Sequence, residues 1–211
     1  MQDHELREIY LDGETLYDGA VVRLEKWRVT LPDGRLADRE VVLHKGAAAI
    51  VPVDARGYVT LVRQHRVAIN DFTWEIPAGK LDYTGEDPLS AARRELEEET
   101  GLRAGQWRKL LNAATTPGYC TEHIAMYLAT DLSRHQRHTD QDEFLRAASI
   151  PLEEAVRRVL SGEFTDMKTC LGLLMAHRIL FDERRLPAQD YAATGRCSAI
   201  HPWADAAGNG L

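Results

Sequence analysis

The segment Asp87 to Gly101, Asp-Pro-Leu-Ser-Ala-Ala-Arg-Arg-Glu-Leu-Glu-Glu-Glu-Thr-Gly, constrains the fold of this 211-residue chain more than any other. Asp87 offers a side-chain cap, Pro88 stands where a missing N–H costs nothing, and Gly101 ends the run, so the spacing predicts a helix over roughly 88–100. Leu89, Ala92 and Leu96 form its apolar stripe. On a wheel of about 100° per residue with Glu95 at 0°, Ala91 falls at about −40°, Glu98 at about −60°, Glu99 at about +40°, and the stripe at about 60–120°. Three carboxylates therefore share one face beside a small alanine. Glu97, Glu98 and Glu99 also crowd the last turn, where the helix dipole makes each anion cost about 0.3–1 kcal/mol. The i,i+4 pairs Arg93–Glu97 and Arg94–Glu98 run in the weaker orientation and return only about 0.2–0.5 kcal/mol each. Glutamate runs usually mean a solvated face. Against that, carboxylates at i, i+3 and i+4 converge on a point the size of a hard divalent ion, and oxygen-only donors suit Mg²⁺ or Mn²⁺.

The chain on either side reads as strands and then helices. From about Tyr17 to His44, β-formers flank the turn Leu31-Pro32-Asp33-Gly34-Arg35, which predicts an N-terminal antiparallel sheet. Ala47–Val53 is apolar enough to be buried on both faces, and Tyr58–Gln64 follows a turn at Asp54–Gly57. Further strands are expected near Leu110–Ala114, Glu122–Ala129 and Glu143–Ile150. Two helices come next, one from Pro151 to Gly162 and one from about Asp166 to Arg184. This order implies an α/β (α+β) protein, an α/β/α sandwich with a mixed sheet plus the small N-terminal antiparallel sheet. Residues 1–45 are assigned to that sheet, 46–187 to the main domain and 188–211 to an Ala- and Gly-rich tail.

Composition narrows the function. With 44% apolar and 28% charged residues the chain is an ordinary globular protein, and 33 acids against 26 bases give a net charge of −7. That sign disfavours nucleic acid or an anionic membrane as the main partner. The excess is local, since residues 79–101 hold seven acids and three bases. Cys120, Cys170 and Cys197 are odd in number with no CxxC spacing, which suits a reducing cytoplasm. The start Met1-Gln2-Asp3-His4-Glu5 and the short apolar runs Ala47–Val53 and Cys170–Ala176 point to neither secretion nor membrane insertion. His135 and His138 form an HxxH in a polar loop with no thiolate or HExxH context, so a solvated loop is preferred to zinc.

Gly79-Lys80-Leu81-Asp82-Tyr83-Thr84-Gly85-Glu86 and, seven residues later, Arg94-Glu95-Leu96-Glu97-Glu98-Glu99-Thr100-Gly101-Leu102 resemble the Nudix box, Gx5Ex7REUxEExGU with U aliphatic. One departure is present, six residues rather than five between Gly79 and Glu86, which bears on the placement of Glu86. The flanks are similar to the ADP-ribose pyrophosphatase branch from about Tyr17 to Leu180. The segments that carry the likeness are Arg39-Glu40-Val41-Val42, Val62-Arg63-Gln64-His65-Arg66, Trp74-Glu75-Ile76-Pro77-Ala78-Gly79, Asp140–Phe144 and Asp166-Met167-Lys168-Thr169. Pro117, in Thr116-Pro117-Gly118-Tyr119, stands sixteen residues after Gly101, the mark that separates ADP-ribose enzymes from other branches.

The resemblance implies hydrolysis of ADP-ribose to AMP and ribose 5-phosphate, with Mg²⁺ as cofactor and Mn²⁺ able to substitute. GDP-mannose or another nucleoside diphosphate sugar is the alternative substrate. A nucleotide sensor without turnover is less favoured, because Glu86, Glu95, Glu98 and Glu99 are all present. Glu95, Glu99 and the Ala78 carbonyl are the implied metal ligands, with Glu98 and Glu86 additional or supporting, and Arg94 orienting a glutamate. The proton acceptor is expected from 138–143, Glu143 ahead of Asp142 and Asp140. Arg66 is implied to meet a phosphate or the terminal ribose, and Glu75 ribose hydroxyls or a metal. Arg39 and Glu40, with Pro117 and Gly118, would serve the adenosine half, across a homodimer built on the N-terminal sheet. Tyr17, Trp27 and Tyr119 are candidates to stack on adenine, although a strand tryptophan such as Trp27 is more often simply buried.

Overall fold

A computed structural model of the chain describes residues 3–135 and 144–182. They fall into two compact units, residues 3–44 with 115–122, and residues 45–114 with the rest.

The first unit is built on strands β1 (Ile9–Asp18), β2 (Arg23–Thr30) and β3 (Leu36–Leu43), an antiparallel meander. Gly34 at φ 84° makes the expected Pro-Asp-Gly turn between β2 and β3. The sheet starts at Ile9, earlier than the sequence suggested, because Ile9–Thr15 pairs with β2 through Glu25–Thr30 despite its Gly and acidic residues. Residues 115–122 pack along β3. Val42 donates to the Tyr119 carbonyl at 2.7 Å, and Thr121 donates to the Val42 carbonyl at 2.9 Å.

The second unit holds a four-stranded mixed sheet in the order β7 (Ala78–Lys80), β4 (Ala47–Pro52), β9 (His123–Arg134), β8 (Leu102–Ala114). Its β4–β9 pairing is parallel. A three-stranded antiparallel sheet runs β10 (Arg146–Pro151), β5 (Tyr58–Arg66), β6 (Asp71–Glu75). Strands β6 and β7 were not marked by the sequence pattern; each is short, and β7 is held by only three register pairs to β4. Helix α1 spans Pro88–Thr100, as the sequence predicts. Asp87 caps it by accepting from Ser90 N–H, and Gly101 closes it at φ 68°. Helices α2 (Leu152–Leu160) and α3 (Met167–Asp182) come last.

Side-chain alternation splits the core into two layers. Ala48 and Ile50 of β4 and Ala125, Tyr127 and Ala129 of β9 pack with Ala91, Ala92 and Leu96 of α1. The intervening Ala47, Ala49, Val51, Ile124, Met126 and Leu128 pack on the other side with Leu152 of α2 and with Leu173 and Ala176 of α3. A central sheet with one layer on each face is the expected sandwich.

Helix α3 approaches this sheet through Gly172, where a Cβ would lie 2.9–3.1 Å from Val51, Met126 and Ile76. Gly172→Val should therefore lower the melting temperature, costing about 1–3 kcal/mol as overpacked cores do. An unchanged thermal midpoint by calorimetry would contradict this packing.

Candidate active site

Three forces place the glutamates of α1. The apolar stripe turns the helix so that Glu95 and Glu99 are drawn into the core margin and buried with Ala91, Ala92 and Leu96. Glu99 accepts the Ala78 N–H at 3.1 Å. Glu95 lies over β7 at Gly79, where a side-chain Cβ would run into its carboxylate. A side chain at position 79 would therefore displace the Glu95 carboxylate from its place over the strand.

Arg94 answers the charge that this packing concentrates. Its guanidinium reaches Glu95 at 2.6 Å and Glu98 at 3.2 Å, and lies 3.5 Å from Asp82 and 3.9 Å from Glu86. It also donates to the Lys80 carbonyl at 3.4 Å. Burial works to lower the Arg94 pKa, but these carboxylates outweigh it and hold the pKa above the usual arginine value. Glu97, expected to face Arg93, is instead bound by Arg103 of β8 through two hydrogen bonds of 2.8 and 2.7 Å. That bidentate pair offsets the dipole penalty of the last turn.

The extra residue before Glu86 is taken up in the loop, where Gly85 adopts φ 90°. Glu86 turns back to accept the Asp82 N–H at 2.7 Å and stays beside Arg94.

A second charged group lies at the ends of β5 and β6. Glu75, 2% exposed, accepts from Arg66 Nε and Nη2, both at 2.7 Å, from Thr73 Oγ1 at 2.5 Å, and from Lys168 Nζ. Burial would push its carboxyl up, but the Arg66 guanidinium, with the Lys168 ammonium and the Thr73 hydroxyl, prevails and lowers it from 4.5 to about 2. The same carboxylate raises the Arg66 pKa, and Glu99 is close enough to add to that effect. The sequence pattern gives Lys168 no role of its own. The detectable signal was Asp166 three residues before Thr169, a helix-start spacing, and Asp166 does accept the Thr169 N–H at 3.0 Å.

In the N-terminal unit a cavity of about 360 Å³ is lined by Glu8, Tyr10, Trp27, Arg39, Pro117, Gly118 and Tyr119 among others. Trp27 and Arg39 are cross-strand neighbours. The Trp27 ring is half-buried rather than in a core, edge-on to Tyr10 with 5.3 Å between ring centroids, and bonded to Glu25 at 2.7 Å. Arg39 is held by Glu8 at 2.5 and 3.0 Å. Glu40, next along β3, points to the opposite face and is exposed, and Tyr17 does not line the cavity.

Glu143, Asp140, Asp142 and His138 lie outside the described residues. His135 is exposed and contacts Ser133 at 3.2 Å.

The donor set fits a hard cation. All side-chain donors are carboxylates, a guanidinium sits among them as a stand-in cation, and Gly79 leaves the cradle clear. With Glu95 turned to Arg94 and Glu99 to the Ala78 amide, no three Asp, Glu, His or Cys side chains among the described residues stand at metal-holding spacing.

This fold and this carboxylate helix define an α/β protein of the Nudix class. The chain belongs to that family, with the NUDIX domain matched over residues 43–168. It is 39% identical over 182 residues to an ADP-ribose pyrophosphatase of Mycobacterium tuberculosis, covering 85% of this chain and 86% of that one. It is 38% identical over 170 residues to an ADP-ribose pyrophosphatase of Bacillus subtilis, covering 80% and 91%. Among solved structures it matches a protein described as an ADP compounds hydrolase with a TM-score of 0.74 at 23% identity, covering 86% of this chain and 98% of that one.

The Glu75 pairing has a pH consequence. A carboxylate whose pKa is lower in the folded chain adds stability above its unfolded value near 4.5, and loses it as pH falls toward about 2. Glu75→Gln should thus melt below the parent protein at neutral pH, with the difference shrinking between pH 4.5 and 2. A difference independent of pH would refute the pairing.

Proposed function

We propose that this chain is a Mg²⁺-dependent ADP-ribose pyrophosphatase that yields AMP and ribose 5-phosphate, with Mn²⁺ able to replace Mg²⁺. The observation that carries the reading is the carboxylate face of α1 laid over Gly79 with a cation-binding donor set around it. The names of the relatives at 38–39% identity support the substrate.

Glu95, Glu98, Glu99 and the Ala78 carbonyl would hold the metal, with Glu86 in support. When bound, the metal screens the diphosphate charge and makes an attacking water more acidic. Arg94 keeps Glu95 and Glu98 oriented. Arg66, fixed by Glu75 yet 45% exposed at its side chain, offers a rigid guanidinium to a phosphate oxygen. With four donors already on it, Glu75 serves this reading as the anchor of Arg66. Glu143 takes the proton from the attacking water, ahead of Asp142 and Asp140.

The adenosine half is assigned to the cavity of the N-terminal unit, where Trp27 and Tyr119 supply aromatic faces and Arg39, Pro117 and Gly118 complete the wall. The N-terminal sheet also supports a homodimer. Ile9, Leu11, Leu16, Tyr17, Val21 and Leu36 are each about half exposed or more, an apolar surface that a second copy would cover, and Glu40 on its outer face would then act across the pair. Sedimentation as a monomer at micromolar concentration would refute the dimer. A cytoplasmic setting is supported by the unpaired Cys120 and Cys170. Among the described residues no helix is long and apolar enough to cross a membrane.

Turnover of a panel of nucleoside diphosphate sugars with Mg²⁺ tests the substrate. The highest kcat/KM is expected for ADP-ribose. A higher value for GDP-mannose would move the assignment to that sugar nucleotide, and inertness toward the whole panel would overturn the chemistry. Glu99→Gln should reduce kcat by roughly 100-fold or more with the fold retained; near-parental turnover would remove Glu99 from the metal set.

A further inference from the structure

We propose that Thr169, with Asp166 behind it, is a positioning residue for the metal site, acting through the backbone of Ile76 to fix where the Ala78 carbonyl points. This rests on the metal-dependent reading above.

The segment Glu75–Ala78 links β6 to β7 and carries the one backbone oxygen assigned to the metal. Four consecutive residues are gripped by four different elements. The Glu75 side chain is held by Arg66 of β5. The Ile76 N–H donates to Thr169 Oγ1 of α3 at 2.9 Å. The Pro77 carbonyl accepts from Ile50 N–H of β4 at 2.9 Å, and the Ala78 N–H donates to Glu99 of α1 at 3.1 Å. These bonds fix two peptide planes, 75–76 through the Ile76 N–H and 77–78 through the Pro77 carbonyl and the Ala78 N–H, and so set the path by which the chain enters Ala78 and presents its carbonyl.

Thr169 has no exposure at all, less than the other two side-chain anchors, Glu99 and Arg66. Its hydroxyl both accepts and donates, taking the Ile76 N–H and passing its own hydrogen to Asp166 Oδ2 at 2.5 Å. Asp166 Oδ2 also accepts the Thr169 N–H, while Oδ1 accepts Lys168 Nζ at 3.0 Å, and Lys168 reaches on to Glu75. One carboxylate therefore aligns the two side chains that hold Glu75 and Ile76. A residue needed only to fill space would serve equally as valine; the hydroxyl is used for direction.

The test is Mn²⁺ affinity without substrate, read by electron paramagnetic resonance, for Thr169→Val, Thr169→Ser and Leu180→Ala alongside the parent. Thr169→Val keeps the shape and loses the hydroxyl, and should weaken Mn²⁺ roughly 10- to 100-fold, the range for residues that orient metal ligands. Thr169→Ser should recover most of the affinity even where its melting temperature stays lower. Leu180→Ala removes core packing in the same helix, eleven residues and about 16 Å along it from Thr169, and should lower stability yet bind Mn²⁺ as the parent does. If Thr169→Val fails to fold, Thr169→Ala, which needs no fit, is expected to show the same weakening. Parental affinity in the hydroxyl-free variant overturns the proposal, as does equal weakening in Leu180→Ala, which would make the role structural. A parent that binds no Mn²⁺ overturns it together with the metal reading. A parent that binds Mn²⁺ with the valine effect intact but leaves ADP-ribose uncut upholds Thr169 and removes only the substrate assignment.

Discussion

The structure depends on bringing a face of carboxylates against a strand without letting their mutual repulsion drive the two apart. Glu95 and Glu99 are buried at the margin of the core, and Glu98 stands beside Glu99, about one turn from Glu95. The Glu95 carboxylate lies where a Cβ on residue 79 would stand, over the bare backbone of Gly79, and a positive charge is close by. Arg94 provides that charge, touching Glu95 and Glu98 and lying near Asp82 and Glu86. Burying carboxylates without such a partner would cost several kcal/mol. The helix is therefore held by its apolar stripe and made tolerable by its arginine.

The hydrophobic layers turn this local arrangement into a rigid one. Strand β4 is buried along its whole length, and its small residues Ala47, Ala48 and Ala49 pair with Lys80, Gly79 and Ala78. Alternate side chains of β4 and β9 serve α1 on one face and α2 and α3 on the other, so the central sheet carries both layers. The charged pair at Glu75 is fastened to α3 through Lys168, and Ile76 through Thr169. A helix on the far layer thus reaches the segment that α1 grips from its own side.

Local signals in the sequence were legible where they were self-contained. Asp87, Pro88 and Gly101 bounded α1 correctly because capping and termination act within a few residues. The continuous apolar run of β4 read as a strand buried on both faces, and it is one. Strands β6 and β7 were missed because they are short and depend on pairing with distant partners. The same limit hid Glu97 with Arg103 and Glu75 with Lys168, whose partners lie six and 93 residues away and obey no helical spacing. Residue frequency alone favours a core place for Trp27, yet Gly13 across the sheet leaves room for its ring beside a cavity.

The loop that follows Gly79 carries one residue more than the family pattern, and Gly85 absorbs it in a left-handed turn. Leu81 at its start is buried among Ala48, Ile50 and Ala91, while Asp87 at its end is fixed by Ser90. Both ends are pinned, so length added between them bulges outward instead of shifting the strand or the helix. The geometry around Glu95 is thereby insulated from changes in loop length, and this stretch can lengthen or shorten in descendants of the sequence while the carboxylate face keeps its place.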